Sequence, residues 1–528
     1  MVGYQTFFAP PPPAPVGEQA LRPAEEATPP PTLAPTDGGT AGALAGAASE
    51  AGAVTSVSSA PALERGEERT ESIETDLYTA VFSSHGGGLR SFLLKKYRDG
   101  TGPDSQPLDM IASEAALPLG VYWSTDGGSY ANDNDLDYQI EVSGGRETKV
   151  TMTASADDGT RVRKVVSVHP DSYVMRLEVE VSGVDNPAVG VAWVRRISDA
   201  KGSRFSGKDG PVVYVDGKLH EEASATMKET LDVHGQVEWA GYADHYFLAA
   251  YYPEEPTELR FVGAAANGLG EATLIASDAR GHVAYNLFIG PKEVRLLGTL
   301  GHNLDKAIYL GWFAFVGGPL LQLMLYLTLV TGNYGWSIIL LTIGIRVAFY
   351  PVNKRQALAM KGMQRIQPEL KKIQEKYKDD REQLNKEMME LYRRHKVNPL
   401  SGCLPMLLQL PVFLGLYNAL MQSIELRHAP FIGWITDLSQ PDRLGSLAIP
   451  MVSPPGIPVL TLFMGASMIA QQRMTPATGD PVQQRMMMFL PVVFTLMFIN
   501  FPSGLVLYWF ANNIMSIGQQ YITNRSRD

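Results

Sequence analysis

The run at 335–354, GWSIILLTIGIRVAFYPVNK, is long and apolar enough for a buried or membrane-embedded helix, yet Arg346 interrupts it with a charge. A cation inside a hydrocarbon-spanning helix costs roughly 2.5–3.5 kcal/mol on insertion scales, so it usually faces water or a partner. Any fold for this chain has to house that arginine. Two explanations stay open on pattern alone. Lys354 lies eight residues further on, about 12 Å of helix at 1.5 Å per residue. Arg346 therefore either snorkels along a long path to the headgroups or stands as the fixed charge of a water-filled cavity that opens toward one leaflet.

The rest of the chain divides between two solvents. Apolar residues concentrate after residue 305 while most acidic residues precede 300, so the net charge of −10 describes neither half. Residues 1–9, MVGYQTFFA, are apolar but far short of the roughly 20 residues a span needs, and they read as the tail of a transmembrane segment. Residues 10–70, with PPPPAP, TPPPTLAP and GGTAGALAGAASEAGA, cannot bury enough apolar surface to fold and form a disordered linker.

From 71 to 300 the pattern is that of short strands. Tyr173, Met175, Leu177, Val179 and Val181 alternate with polar residues, giving one wet and one dry face. Asp158-Gly159 between 149–156 and 161–169, and Asp216-Gly217 after VVYV, are hairpin signals. Gly86-Gly87-Gly88 is a turn. Many short strands of this kind predict an antiparallel sandwich.

After it, apolar blocks return. The expected order is an interfacial amphipathic helix at 301–332, a transmembrane helix with Arg346 at 333–352 and a charged helical hairpin at 353–400. Transmembrane helices at 401–424, 449–472, 485–501 and 504–522 follow, joined by loops at 425–448 and 473–484, with a tail at 523–528. In the hairpin, Ile366, Leu370 and Ile373, then Leu384, Met388 and Leu391, recur at helical spacing; Pro368 predicts a kink at Gln367, and Asp380 with Gln383 a capping box. The hairpin carries thirteen Lys and Arg, among them Lys371, Lys372, Arg393 and Arg394, whereas the 425–445 loop has only Arg427 and Arg443. The positive-inside rule places hairpin and tail in the cytoplasm and the β domain outside. Two full spans between them would return the chain to the same side. The first block, broken by Gly317-Gly318-Pro319, is therefore the one expected not to cross.

Further polar residues fall at membrane depth: Gln409 and Asn418, then Asn512, Asn513, Ser516, Gln519 and Gln520 just after Tyr508 and Trp509. Interhelical hydrogen bonding accounts for any one of them; a polar, partly hydrated groove accommodates them together with Arg346. Pro405, Pro411 and Pro491 loosen their helices, and Met486–Met488 with the other methionines of the 449–472 and 485–501 helices are either core or a surface that accepts varied apolar partners. The hairpin charges are a solvated face or a surface for anionic lipid or a ribosome. There is no GxxxxGK[ST], HExxH or GxSxG motif, no Cys/His cluster for a metal and a single cysteine, Cys403. Neither nucleotide nor other cofactor is expected.

NYGWSIILLTIGIRVAFYP, EMMELYRRHKVNPLSGCLPMLLQLPVFLGLYNAL, IELRHAPFIGWITDLS, MMFLPVVFTLMFINFPSGLVLYW and NNIMSIGQQ resemble the YidC membrane protein insertases of Gram-negative bacteria, closely over about 303–521. VEWAGYADHYFLAAYYP and NLFIGPKE resemble the family's periplasmic domain more loosely. The resemblance implies a multi-domain membrane protein of the inner membrane: an all-β periplasmic sandwich, a five-span transmembrane core and a cytoplasmic helical hairpin. It implies a non-enzymatic insertase and chaperone with a hydrophilic groove formed by Arg346, Gln409, Tyr508, Trp509, Asn513 and Ser516, which Asn512 joins because 508, 512, 516 and 519 fall along one helical face, and a substrate slide along Pro405, Met406, Pro411, Phe489 and Pro491. Many members carry two tyrosines where this chain has Tyr508-Trp509, so a role for the second phenol does not carry over. The implied partners are nascent membrane proteins, the Sec translocon and its accessory subunits, the ribosome and membrane lipids. The alternatives are a secondary transporter or channel, where intramembrane charge is also typical, and a ligand-binding β module on a membrane anchor.

Overall fold

The structure, a computed structural model, describes residues 66–528 except 101, 103, 112–115, 126–128, 146, 198–208, 278, 379, 396–403, 475–480 and 526–528. The expected terminal span remnant, nearly all of the linker, the middle of the 473–484 loop and part of the tail lie outside the described residues.

The alternating segments form two antiparallel sheets. Four strands, Thr70–Glu74, Tyr78–Ser83, Leu89–Arg98 and Pro107–Asp109, make a small one, and fourteen strands between Gly120 and Pro291 make a large one. One core joins them, with Tyr78, Phe82 and Phe92 from the small sheet packed among Met175, Leu177, Trp193, Trp239 and Tyr251 from the large one. Strand Val174–Ser182 buries Met175, Leu177, Val179 and Val181, as the alternation requires. Strands Thr148–Ser155 and Arg161–Val168 pair across the Asp158-Gly159 turn. Asp216 and Gly217 take φ of 50° and 72° between strands Gly210–Val215 and Lys218–Glu221. A two-residue turn with positive φ at both positions matches the twist of its strands, which is why Asp-Gly is favoured there.

The Gly86-Gly87 turn does more than reverse the chain. Its two carbonyls accept hydrogen bonds from Lys164 Nζ, each at 2.9 Å, the Leu119 carbonyl accepts a third at 2.8 Å, and Asp133 lies 2.6 Å from the same atom. Lys164 and Asp133 are fully buried. A buried ion pair is tolerable when its remaining donors and acceptors are satisfied, and Asp133 also accepts from Val121 N and Tyr138 Oη.

After α1 (Val294–Leu300) come α2 (Ala314–Thr331), α3 (Tyr334–Ala348), α4 (Tyr350–Lys376), α5 (Arg381–Arg394), α6 (Leu404–Gln422), α7 (Val459–Met474), α8 (Pro481–Phe498) and α9 (Ser503–Arg525). α2 departs from the amphipathic expectation. Its buried stripe of Gly317, Leu321, Met324 and Leu325 is apolar, and so are exposed Phe315, Leu323, Tyr326, Leu329 and Val330. By length and composition α2 can cross a membrane, with mean hydropathy 1.6 over 18 residues; α3 and Met488–Phe498 are shorter apolar helices. α2 meets α6 at two glycines, where a Cβ on Gly317 would lie 2.6 Å from the Gly415 carbonyl oxygen. Small residues permit such backbone approach between helices in lipid.

α4 and α5 form the expected helical pair, closed by Ile366, Leu370 and Leu391. The helix does not restart at Gln367: α4 runs through Pro368. A proline removes one backbone donor and crowds the preceding turn, and the remaining bonds of this 27-residue helix carry it past that site. Asp380 Oδ1 accepts from Gln383 N at 3.0 Å, while the Gln383 side chain turns to Glu387, so the capping box is half made.

The β region is seated on the helices through the turn between strands Leu231–Ala243 and Phe247–Tyr252. His245 Nε2 donates to the Met421 carbonyl at the end of α6, at 2.7 Å. Ile424 enters the β core, and the Arg427 guanidinium lies 5.4 Å from the Phe247 ring centre while donating to the Arg98 carbonyl.

Candidate functional site

α3 begins at Asn333, whose Oδ1 accepts from Gly335 N and Trp336 N. It stops at Ala348, short of the expected end, because Pro351 opens the next helix. Arg346 is therefore in the last turn of α3 rather than in mid-span. Helix C-terminal carbonyls carry partial negative charge, and a cation there gains typically about 0.3–1 kcal/mol. This lowers the cost set by the apolar run.

The part-buried guanidinium points at α9. Nε donates to Asn512 Oδ1 at 2.8 Å and Nη2 to the Asn512 carbonyl at 3.0 Å, with Ser516 Oγ a further partner of Nη2. Residues 512 and 516 are one turn apart and share a face. Among the described residues no carboxylate lies within ion-pair distance of Arg346. Its described hydrogen-bond partners are all neutral, so its orientation is fixed without an acid to cancel its charge.

The other expected groove residues divide. Gln409 on α6 donates to Tyr508 Oη at 3.2 Å, bringing the third helix to this cluster. Asn513 faces elsewhere: it is 4% exposed and donates to Ser467 Oγ on α7 at 3.0 Å. One residue is about 100° of helix rotation, so adjacent asparagines cannot serve the same face. Trp509 meets Phe413 and Phe498 edge-on and Phe494 at a tilt, in an aromatic cluster that links α6, α8 and α9. Ser467 is a residue the sequence reading missed, since a lone serine in an apolar helix carries no signal of its partner.

A family model for the 60Kd inner membrane protein matches residues 326–528, and one for the YidC periplasmic domain matches residues 71–323. The membrane protein insertase YidC of Pelobacter propionicus is 42% identical, over 90% of this chain and 90% of its own. This chain belongs to the YidC membrane protein insertase family. The YidC insertase of Geobacter sulfurreducens is 38% identical over 86% of each chain. Among solved structures, an active YidC insertase with its first transmembrane domain resolved covers 87% of this chain and 93% of its own, at 19% identity and a TM-score of 0.38.

For a YidC-family chain, the expected slide residues sit on α6 and α8. Pro405 and Met406 belong to the first turn of α6, and their side chains lie outside the described residues. Pro411 is half-buried within α6, Phe489 is 71% exposed and Pro491 is buried within α8. Around Phe489, Met488, Val492, Val493 and Leu496 also face outward, giving α8 an open apolar flank. Lys371, Lys372, Arg393 and Arg394 are exposed on the helical pair, with Arg394 bonded to Glu390.

Proposed function

We propose that this chain is a membrane protein insertase and chaperone of the inner membrane, in which Arg346 receives the polar flank of an incoming helix. The observation that carries this reading is the set of partners of Arg346. Asn512 and Ser516 hold the guanidinium by neutral oxygens, and no acidic group among the described residues spends its charge. A visiting acidic or polar segment gains a charge-assisted contact there, offsetting part of its desolvation. The apolar part of the same substrate passes along α6 and the exposed face of α8 into lipid. Burial of apolar surface, worth about 25 cal/mol per Å², supplies the drive without nucleotide. The named insertase relatives support the activity, and none of the steps calls for a bond to be made or broken.

The topology that fits places the β domain in the periplasm and α4, α5 and the tail in the cytoplasm, with α3, α6, α7, α8 and α9 crossing. An odd number of crossings is then required before the helical pair, so α2 lies in the outer leaflet. Trp312 and Tyr309, 92% and 45% exposed just before α2, suit the headgroup level where aromatic belts form. Nascent membrane proteins are the substrates. The Sec translocon and its accessory subunits, the ribosome at Lys371, Lys372, Arg393 and Arg394, and anionic lipid are the proposed partners. Reconstitution of the full chain in liposomes with a small apolar substrate tests the reading. Insertion should be faster than in protein-free liposomes, and equal rates would refute it.

A further inference from the structure

Asn512 and Asn513 are neighbours on α9 that bond in different directions, Asn512 to Arg346 on α3 and Asn513 to Ser467 on α7. The second bond is buried at both ends, with Asn513 4% and Ser467 6% exposed. Asn513 Nδ2 donates to Ser467 Oγ at 3.0 Å, and that hydroxyl in turn donates to the Met464 carbonyl at 2.6 Å. Further along both helices, Gln520 Nε2 donates to the Met474 carbonyl at 2.7 Å. From Asn513 to Gln520, and from Ser467 to Met474, is one heptad, which brings a helix back to within about 20° of the same face. Both helices advance together from the first bond to the second, so they run parallel and the two bonds are rungs of one polar seam.

None of these residues bonds Arg346, yet the seam decides where the guanidinium finds its partners. One acceptor of Arg346 is the main-chain carbonyl of Asn512, at 3.0 Å, and the same carbonyl accepts from Ser516 Oγ at 2.9 Å. A main-chain acceptor moves with its helix and has no rotamer with which to compensate. The tolerance is small. A turn of about 20° around the helix axis carries an atom at a radius of about 5 Å through about 2 Å, enough to open the 2.8 Å bond between Arg346 and Asn512. Apolar packing guards weakly against such a turn, because lipid tails are as apolar as the side chains and helix association gains no hydrophobic drive. A buried polar bond guards better, since any other rotation leaves its donor unsatisfied.

We infer that Asn513 and Ser467 are positioning residues for the Arg346 site: their bond, with that of Gln520 to Met474, fixes the rotation of α9 and so holds Asn512 and Ser516 against the guanidinium. The inference deepens the reading of Arg346 as the receiving charge and rests on it. Asn513 acts on the handling of acidic segments from the α7 side of α9, without touching them.

The test reconstitutes the full chain in liposomes and compares initial insertion rates for two small apolar substrates that differ only in the translocated flank, acidic in one and amide-substituted in the other. The readout is the ratio of the acidic to the amide rate, which a general loss of packing leaves unchanged because it slows both. Arg346→Ala sets the full fall in this ratio. Ser467→Ala and Asn513→Leu should each lower it about threefold, the size of an interhelical hydrogen bond in lipid. Ser467→Thr, which keeps the hydroxyl, should hold the ratio of the unaltered protein. Ser467→Ala removes one oxygen and adds no bulk, so it carries the test if Asn513→Leu does not fold. Combined with Arg346→Ala, either change should lower the ratio no further, because a positioning residue then has nothing to position. Where Arg346→Ala lowers the ratio, three results overturn the inference alone: an unchanged ratio in Ser467→Ala, a fall in Ser467→Thr equal to that in Ser467→Ala, or a further fall in the Arg346→Ala background. An unchanged ratio in Arg346→Ala itself overturns the receiving-site reading and this inference with it.

Discussion

Arg346 Nε and the Asn512 side-chain oxygen meet at 2.8 Å across α3 and α9, a cation held by an amide rather than by an acid. An aspartate at 512 would fix the arginine equally well but neutralise it. The geometry keeps positional order and net charge together, as the proposed receiving site for a passing polypeptide requires.

Replacement of Arg346 separates these two roles. Arg346→Ala should slow insertion of substrates with acidic translocated segments by roughly tenfold, equivalent to about 1.4 kcal/mol, and affect neutral ones little. Arg346→Lys should fall between, because it keeps charge and loses the fork that bonds Asn512 twice. Asn512→Asp should mimic Arg346→Ala with the fold intact. Initial insertion rates in liposomes, with thermal unfolding as the control, measure all three.

The α2–α6 crossing should be intolerant of bulk. Gly317 and Gly415 leave no space for a Cβ without separating the helices, since Gly415 would bring its own to 3.0 Å from Gly317 N. Gly415→Val should destabilise the helical region by about 1–3 kcal/mol, as overpacking does, whereas Gly344→Ala, with open space around it, should be near neutral. Denaturation in detergent followed by tryptophan emission distinguishes them.

Seating of the β region should depend on pH through His245. Burial first, and then the Lys292 charge, push its imidazole below the ordinary value; the Met421 carbonyl and Asp244 oppose. The folded state thus holds it neutral, with Nε2 donating to Met421 and Nδ1 without a partner among the described residues. The unfolded chain takes up the proton near pH 6.5, so the full contribution is present above that pH and is lost progressively as pH falls toward the depressed folded value. Hydrogen exchange at 243–247 should be faster at pH 5.5 than at 7.5, after correction for intrinsic rates. His245→Gln, which keeps a donor and does not titrate, should flatten the difference.

Lys164→Met should cost about 3–5 kcal/mol, because Asp133 is left as an uncompensated buried charge. Adding Asp133→Asn should recover part of the loss, so the two changes are non-additive. Urea unfolding of the full chain monitored in the β region checks both.

The sequence spoke most clearly where local chemistry dominates. Asp158-Gly159 and Asp216-Gly217 marked their hairpins because few other residues adopt those turns. Arg346 announced itself by its cost in an apolar helix. Lys164 went unread, although it alternates with Val162 and Val166 on the dry face of its strand, a pattern that places a lysine inside the core. Its partner Asp133 lies in another segment, and no periodicity links them. Asn512 shares a face with Ser516, and helix rotation sends it to Arg346; Asn513, expected in the same groove, turns to Ser467 instead. The end of α3 at Ala348 was hidden by apolar residues that continue past it, although Pro351 was the available signal. Proline at 368 does not end its helix, since one lost bond does not stop a long one.

The His245–Met421 bond ties the last turn of α6 to the β region, and Gly415 holds the middle of the same helix against α2. Under the proposed reading, the play that α6 needs for admitting a guest is expected around Gln409 and Pro411, toward the opposite end of the helix from that bond.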